Sequence, residues 1–90
     1  MASPPRTYSI SVLRQALRAL TRLPPDVRTR VRRVINGLAS EPRPVGCRKL
    51  AGSDELYRVR VGDYRVIYAV RDGELVVIVV TVGHRSDVYR

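Results

Sequence analysis

Two runs rich in valine, isoleucine and tyrosine flank the dipeptide Gly62-Asp63 within LYRVRVGDYRVIYAV, residues 56–70. Glycine followed by aspartate suits a two-residue turn, so the segment predicts a β-hairpin. This turn fixes the register of the strands and places Arg60 opposite Arg65. Because side chains alternate between the faces of a strand, Arg58 shares the face of these two arginines. The hairpin therefore predicts a sheet with one apolar face and one face that carries three arginines.

The chain before the hairpin predicts a short strand and two helices. The strand is expected at residues 6–10, and the first helix follows Ser11, its N-cap, with leucines at helical spacing. The sequence LPPD, residues 23–26, ends this helix and begins a second one, because proline is tolerated in the first turn of a helix. An apolar stripe from Val27 to Leu38 is the buried side of the second helix, and residues 41–54 are expected to form a polar loop.

The pair Asp72-Gly73 predicts a second hairpin, since it favours a type I′ turn. The strand after it, Leu75–Val82, is apolar almost throughout, which indicates an interior strand covered on both faces. The N-terminal strand is then expected on its open side. The element order is βααβββ and the fold class is α+β, with a helical hairpin on one face of a mainly antiparallel four-stranded sheet. The helices cover the apolar face, so the arginines look outward into a cleft.

The net charge favours a polyanionic partner. Lysine and arginine number 17 against eight acidic residues, which gives a formal net charge of +9. Nucleic acid is the first candidate and an anionic membrane surface the second. Sixteen of the 17 basic residues are arginines, which suit bidentate phosphate contacts and stacking on bases. On the first helix Arg14, Arg18 and Arg22 form a stripe, which is either a solvated face or an accessory ridge that contacts RNA.

Several classes of protein are not expected. The N-terminal sequence MASPPRTYS has no apolar run, and the longest run in the chain, Leu75–Val80, is too short to span a bilayer. The single cysteine, Cys47, cannot form an internal disulfide and provides no metal-ligand spacing. The sequence has no P-loop or dinucleotide motif. We therefore expect a cytoplasmic, reduced protein that uses no membrane, metal or cofactor.

The cluster of arginines suits cleavage of RNA by its own 2′-hydroxyl. That reaction needs the 2′-oxygen aligned with the phosphate, charge on the phosphate oxygens neutralised, and protons transferred. Arginine can supply the first two, but it stays protonated. Three proton carriers remain. One is His84, because histidine as a residue type can exchange protons near neutral pH. The others are Tyr89, since a tyrosine needs neighbouring arginines to act as a base, and the substrate and solvent.

The segments KLAGSDELYRVRVGDYRVIYAV and VGHRSDVYR, residues 49–70 and 82–90, resemble the RelE toxins of the RelE/ParE superfamily of type II toxin–antitoxin systems. The resemblance extends over essentially the whole chain and implies one RelE-like toxin domain, residues 1–90, of microbial-RNase-like fold. It also implies a metal-independent endonuclease that cuts mRNA in the ribosomal A site. The implied partner is an acidic, partly disordered RelB-like antitoxin, which forms a hetero-oligomer with the toxin.

The resemblance also implies roles for individual residues. Arg58 and Arg60 match two basic residues of the family's second strand, which are lysines in the best-known members, so arginine here leaves charge stabilisation as the role. Arg65 matches the phosphate-binding arginine of the next strand. Arg85 matches the arginine after the last strand, which contacts the leaving group or the transition state. Tyr89 matches a C-terminal tyrosine that stacks on a base and is a candidate general base.

Two alternatives stay open at the level of the sequence. One is a ParE-like toxin that binds a topoisomerase and cleaves nothing, a branch that shares the fold but lacks the catalytic residue set. The other is a basic module that binds RNA or the ribosome without cleavage. Arg48, Lys49 and His84 are further candidates for RNA binding.

Overall fold

The computed structural model describes residues 7–84, which form one sheet and two helices. The strand order is β1-β5-β4-β3-β2, with β1 parallel to β5 and the other neighbours antiparallel. The α+β class and the mainly antiparallel sheet are confirmed. The elements in chain order are β1 Ser9–Val12, α1 Arg14–Thr21, α2 Pro25–Gly37, β2 Arg48–Lys49, β3 Leu56–Val61, β4 Tyr64–Arg71 and β5 Val76–His84.

The sheet has five strands in the described residues where the sequence predicts four. The additional strand, β2, lies within the segment 41–54 that was expected to be a loop. It pairs Arg48 with Arg58 and Lys49 with Tyr57 at the edge of β3. Two charged residues carry no apolar alternation, so no pattern in the sequence indicates this strand.

The first helix begins later than the sequence predicts, and Ser11 is not its N-cap. Ser11 and Val12 pair with Ile78 and Val79 of β5, so the chain stays extended past the serine. The N-cap is Leu13, whose backbone N–H donates to the Val79 carbonyl at 2.9 Å and whose side chain forms no capping bond. Pairing with β5 therefore overrides the capping preference of serine, and the first strand moves from 6–10 to 9–12.

The connection between the two helices follows the prediction from LPPD. Pro24 is the N-cap of α2, Pro25 is its first residue, and Asp26 lies in the first turn. Arg28 of α2 donates to the carbonyls of Leu20 at 3.2 Å and Leu23 at 3.0 Å. These bonds satisfy carbonyl groups that the end of a helix leaves without partners, so α2 fixes the end of α1. Neither helix of the described residues is long and apolar enough to cross a membrane.

The helices pack on the apolar face of the sheet, as predicted. Buried side chains from both layers form one core cluster, to which the half-buried Tyr57 and Tyr64 pack. Its members are Ala16, Leu20, Leu23, Val31, Ile35 and Leu38 from the helical layer and Val59, Val61, Val66, Tyr68, Val70, Val77, Val79 and Val82 from the sheet. Each fully buried valine or leucine of such a core stabilises the fold by roughly 1.5–3 kcal/mol.

The β4–β5 connection differs from the predicted type I′ turn. Arg71 pairs with Val76, so four residues rather than two form the loop. The positive φ lies at Leu75, at 54°, and not at Gly73. The strand β5 is interior, as predicted, but only its inner face, with Val77 and Val79, is buried. Its outer face is half-buried because, among the described residues, both helices lie on the other side of the sheet.

A polar network fastens the loop after α2 to the β4–β5 loop. Arg43 donates to both carboxylate oxygens of Asp72, at 3.1 and 2.7 Å, and Tyr8 donates to the same carboxylate at 2.7 Å. The Arg43 Nε also donates to the Tyr57 hydroxyl at 3.1 Å. Nearby, burial raises the pKa of Tyr68, whose hydroxyl therefore stays a donor to the Pro42 carbonyl at 2.8 Å. Asp72 therefore binds Arg43 and Tyr8 and does not form the two-residue turn that the sequence predicts. The network also holds the loop that leads to β2.

The network predicts a specific loss of stability in acid. The hydrogen bond from Arg43 is the main cause that lowers the pKa of Asp72 from 3.8 to about 2, and the bond from Tyr8 adds to it. A carboxyl whose pKa is depressed on folding stabilises the protein above its unfolded pKa, and this stabilisation is lost as pH falls through its folded pKa. We expect Asp72→Asn to lower the free energy of unfolding. The difference from wild type should be largest above about pH 4 and should shrink toward pH 2.

Urea unfolding at a series of pH values measures this difference. Arg43→Gln is the matched variant, because it removes the other half of the same ion pair and should remove most of the same pH dependence, with the bond from Tyr8 left in place. An Asp72→Asn protein whose stability deficit stays constant from neutral pH down to about pH 2 contradicts the assignment.

Candidate functional site

Four arginines of neighbouring strands lie on the outer face of the sheet, and we call them the arginine face: Arg48, Arg58, Arg60 and Arg65. Arg48 is opposite Arg58, and Arg60 is opposite Arg65. Directly opposed residues of antiparallel strands project from the same face. The four line a concave hollow of about 120 Å³ together with Gly46. The predicted convergence of Arg58, Arg60 and Arg65 is therefore confirmed, and Arg48 joins them.

This arrangement is electrostatically unfavourable for the isolated fold. Like charges directly opposite one another across two strands destabilise a sheet by up to about 1 kcal/mol. Arg48 and Arg60 are exposed, whereas Arg58 and Arg65 are half-buried, so water screens the four unequally. Arg60 is held in place, because its Nε donates to the Gly62 carbonyl at 3.1 Å. Such a cluster is suited to bind an anion with several oxygens, above all a phosphate.

The row of Arg60 and Arg65 ends at a glycine. Arg65 lies opposite Gly83 of β5, which has no side chain to cover the outer face at that point. In the neighbouring row Arg58 lies opposite Ile67, which is only 6% exposed. Among the described residues, the arginine face is thus bordered by an apolar side chain in one row and by a glycine in the other.

Two predicted RNA-binding residues project from the other face in the register of the sheet. His84 is opposite Tyr64, and the two rings meet edge to face with centroids 5.5 Å apart. Lys49 is opposite Tyr57, and its ammonium lies 3.9 Å from the carboxylate of Asp54. Lys49 also borders an edge hollow together with Arg58. The register therefore separates His84 from the arginine face and leaves Lys49 at its margin.

The remaining predicted site residues, Arg85 and Tyr89, lie outside the described residues. Their roles stay predictions. Within residues 7–84, no group of three or more histidine, cysteine, aspartate or glutamate side chains is arranged to hold a metal ion.

The sequence did not indicate the loop residues at the margin of the arginine face. Gly46 lines the hollow and has a φ of +93°, a conformation that favours glycine. Its neighbour Val45 is fully exposed. A glycine in a polar loop is a weak signal, because glycines are common in any loop, and nothing in the sequence shows that this one lies beside Arg58 and Arg65.

Comparison with known proteins places the chain in a family. The sequence-family model for the ParE toxin of the type II toxin–antitoxin system parDE matches residues 10–89. The toxin RelG of Mycobacterium tuberculosis is 36% identical over 87 residues, an alignment that covers 92% of this chain and 97% of that toxin. The chain belongs to the RelE/ParE toxin superfamily. The resemblance read from residues 49–70 and 82–90 is thereby confirmed.

Solved structures of RelE toxins share the fold of this superfamily member. The crystal structure of the RelE–RelB complex from Pyrococcus horikoshii matches with a TM-score of 0.80 at 34% identity, over 90% of this chain and 98% of that one. The intact RelBE toxin–antitoxin complex of E. coli matches with a TM-score of 0.76 at 28% identity, over 86% and 95% of the two chains. Both structures are complexes of a toxin with its antitoxin.

The arginine face predicts that Arg60 is not needed for folding. Arg60→Ala removes the bond to the Gly62 carbonyl but also a like charge opposite Arg65, so we expect the free energy of unfolding to change by less than about 1 kcal/mol or to rise. Val59→Ala, one position earlier on the buried face, is the matched control, with an expected loss of about 1–3 kcal/mol. Chemical denaturation measures both. A loss for Arg60→Ala as large as that for Val59→Ala indicates a structural role instead.

Proposed function

We propose that this toxin is a ribosome-dependent mRNA endonuclease that cleaves mRNA in the ribosomal A site. The observation that carries the proposal is the arginine face, in which Arg60 and Arg65 are directly opposed at the border of a polar hollow. Phosphate is the ligand that matches the guanidinium group, and two opposed guanidinium groups can bind its oxygens together.

The chemistry is an attack by the RNA on itself. The 2′-oxygen forms a bond to the adjacent phosphorus while the bond from phosphorus to the 5′-oxygen of the next nucleotide breaks, which leaves a 2′,3′-cyclic phosphate. In the proposed complex Arg60 and Arg65 hold the phosphate oxygens, and Arg58 neutralises the charge that develops on them. Fixed guanidinium groups provide this stabilisation without reorganisation during the reaction.

Two protons also have to move. The 2′-hydroxyl loses one, and the departing 5′-oxygen gains one. Arginine cannot carry either, because its pKa is too high. We assign the base to Tyr89 and the contact with the leaving group to Arg85, on the resemblance to the family, and solvent supplies the proton that the departing 5′-oxygen gains. His84 is the weaker candidate, since the register of β5 places it on the face opposite to Arg65.

The proposed setting is that of a cytoplasmic toxin–antitoxin pair. An acidic, partly disordered RelB-like antitoxin suits a toxin of net charge +9, because a flexible acidic chain can fold on a basic surface. The toxin–antitoxin complexes among the similar structures support this partner. Release from the antitoxin would expose the arginine face to mRNA on the ribosome.

A second candidate function is inhibition of a topoisomerase. It is favoured by the family model that matches the chain, which is named for ParE toxins. In our proposal it ranks second, because the ParE branch lacks the set of basic residues that this chain carries at Arg58, Arg60 and Arg65.

Primer extension on ribosomes programmed with a defined mRNA separates the candidates. The nuclease proposal expects new 5′ ends within A-site codons, their absence with Arg60→Ala, and their suppression by the product of the neighbouring antitoxin gene. Trapped DNA breaks in a parallel topoisomerase assay, without mRNA cleavage, support the second candidate instead. Co-sedimentation with ribosomes without cleavage indicates a module that only binds RNA.

Substitutions at Tyr89 test the assignment of the base. Base–aromatic stacking is worth roughly 1–3 kcal/mol, whereas acid–base catalysis contributes about 10²–10⁴-fold in rate. If Tyr89 is the base, Tyr89→Phe lowers the single-turnover cleavage rate nearly as much as Tyr89→Ala, and His84→Gln has a milder effect. A Tyr89→Phe enzyme close to wild type, beside an inactive His84→Gln enzyme, reverses the assignment.

A further inference from the structure

An arginine of α2 lies close to the arginine face at the β3–β4 turn. Arg30 of α2 lies over Gly62, since a Cβ at that glycine would be 3.1 Å from its guanidinium Nη2. Arg60 approaches the same residue from the sheet and donates to its carbonyl at 3.1 Å. Gly62 has a φ of +61°, so both its backbone conformation and its contact with Arg30 disfavour a side chain there. Two guanidinium groups therefore flank a stretch of bare backbone.

Neither of these two arginines forms an ion pair within residues 7–84. The ion pairs of the described residues join Arg43, Lys49 and Arg71 to carboxylates, and none includes Arg30 or Arg60. Asp63 of the turn and Asp26, one helical turn before Arg30, are also outside these pairs, so the formal charges of the four residues balance. The positive surroundings of the turn come from Arg65, opposite Arg60, and from Arg33 of α2.

The basic surface continues along α2. Arg33, three residues after Arg30, borders an open hollow of about 370 Å³ together with Thr29, Arg32 and Asn36. Between residues 14 and 37 the chain has seven arginines and one acidic residue. Arg30 thus lies between the arginine face and a second group of arginines, where a polyanion that leaves the hollow would next meet the protein.

We propose that Arg30 and Arg60, which flank the β3–β4 turn at Gly62, form a second phosphate-binding subsite, which guides the RNA strand from the arginine face over the turn onto α2. This subsite rests on the proposed function, because its ligand is the strand that the arginine face holds. Arg60 serves both sites, since it lines the hollow and also reaches Gly62. Two guanidinium groups on either side of the turn can bind the oxygens of one phosphate.

An acidic protein segment is the competing occupant of this surface. A polypeptide partner would be expected to use apolar contacts as well, and these lie elsewhere. The apolar groove of the described residues is formed by α1, α2 and β1, with Ile10, Val12 and Leu17 among its lining. The β3–β4 turn offers charge and backbone alone, which favours RNA.

Salt-dependent binding of RNA tests the subsite. The probe is a short single-stranded oligoribonucleotide with 2′-O-methyl groups, which cannot be cleaved through its 2′-oxygen. The logarithm of the binding constant falls with the logarithm of salt concentration by about 0.7 per phosphate contact on a single strand. We expect Arg30→Gln to make this slope shallower by about 0.7, and Arg71→Gln, which removes the same charge from an exposed position at the far end of β4, to leave it unchanged.

The outcomes distinguish this subsite from the proposed function. An Arg30→Gln protein with the wild-type slope overturns the subsite, as does an equal change with Arg71→Gln, which indicates only a general loss of charge. Weaker binding of the antitoxin with an unchanged RNA slope assigns the surface to protein and also overturns it. A wild-type protein that binds the probe but does not cleave mRNA on ribosomes contradicts the proposed function, while the difference in slope still decides the subsite.

Discussion

The two-residue turn at Gly62-Asp63 sets the register on which the rest of the site depends. It pairs Val61 with Tyr64 and Arg60 with Arg65, which sends the apolar side chains to the helices and the arginines to the outer face. A slip of one residue would exchange the two faces and bury guanidinium groups in the core. The register that buries Val59 and Val61 therefore also places the arginines side by side on the outer face. The free energy gained by burying the valines keeps this register although the arginines repel one another.

The margin of the arginine face depends on a different interaction. Arg43 and Asp72 join the loop after α2 to the β4–β5 loop, and the chain then runs past Gly46 into β2. This places Arg48 opposite Arg58 as the last arginine of the row. An exposed ion pair alone is worth little, but here hydrogen bonds with Tyr8, just before β1, and with Tyr57 of β3 fix it in place. Polar bonds thus position the loop that brings Arg48 to the arginine face, whereas apolar packing positions the hairpin that carries the other three arginines.

The sequence could predict what periodicity and turn chemistry decide. Alternation around Gly62-Asp63 gave the hairpin and its arginine row, and LPPD gave the start of α2. Other features depend on distant partners. Pairing with β5 keeps Ser11 extended, β2 exists because β3 has an open edge, and the register of β5 directs His84 away from Arg65. No local pattern contains these long-range contacts, so a local interpretation of the same residues misses them.

Thermal unfolding in inorganic phosphate is the most direct test of phosphate binding by the arginine face. An anion that binds only the folded state raises the free energy of unfolding by RT ln(1 + [L]/Kd), where [L] is the concentration of the anion. Phosphate should raise the melting temperature of the wild type more than chloride of equal ionic strength does. Part of this excess is the general stabilisation that phosphate, as a kosmotropic salt, gives to any folded protein. The remainder should be lost when Arg58 and Arg65 are both replaced by glutamine. Equal stabilisation by the two salts, or an excess that the double substitution leaves unchanged, contradicts a phosphate site on this face.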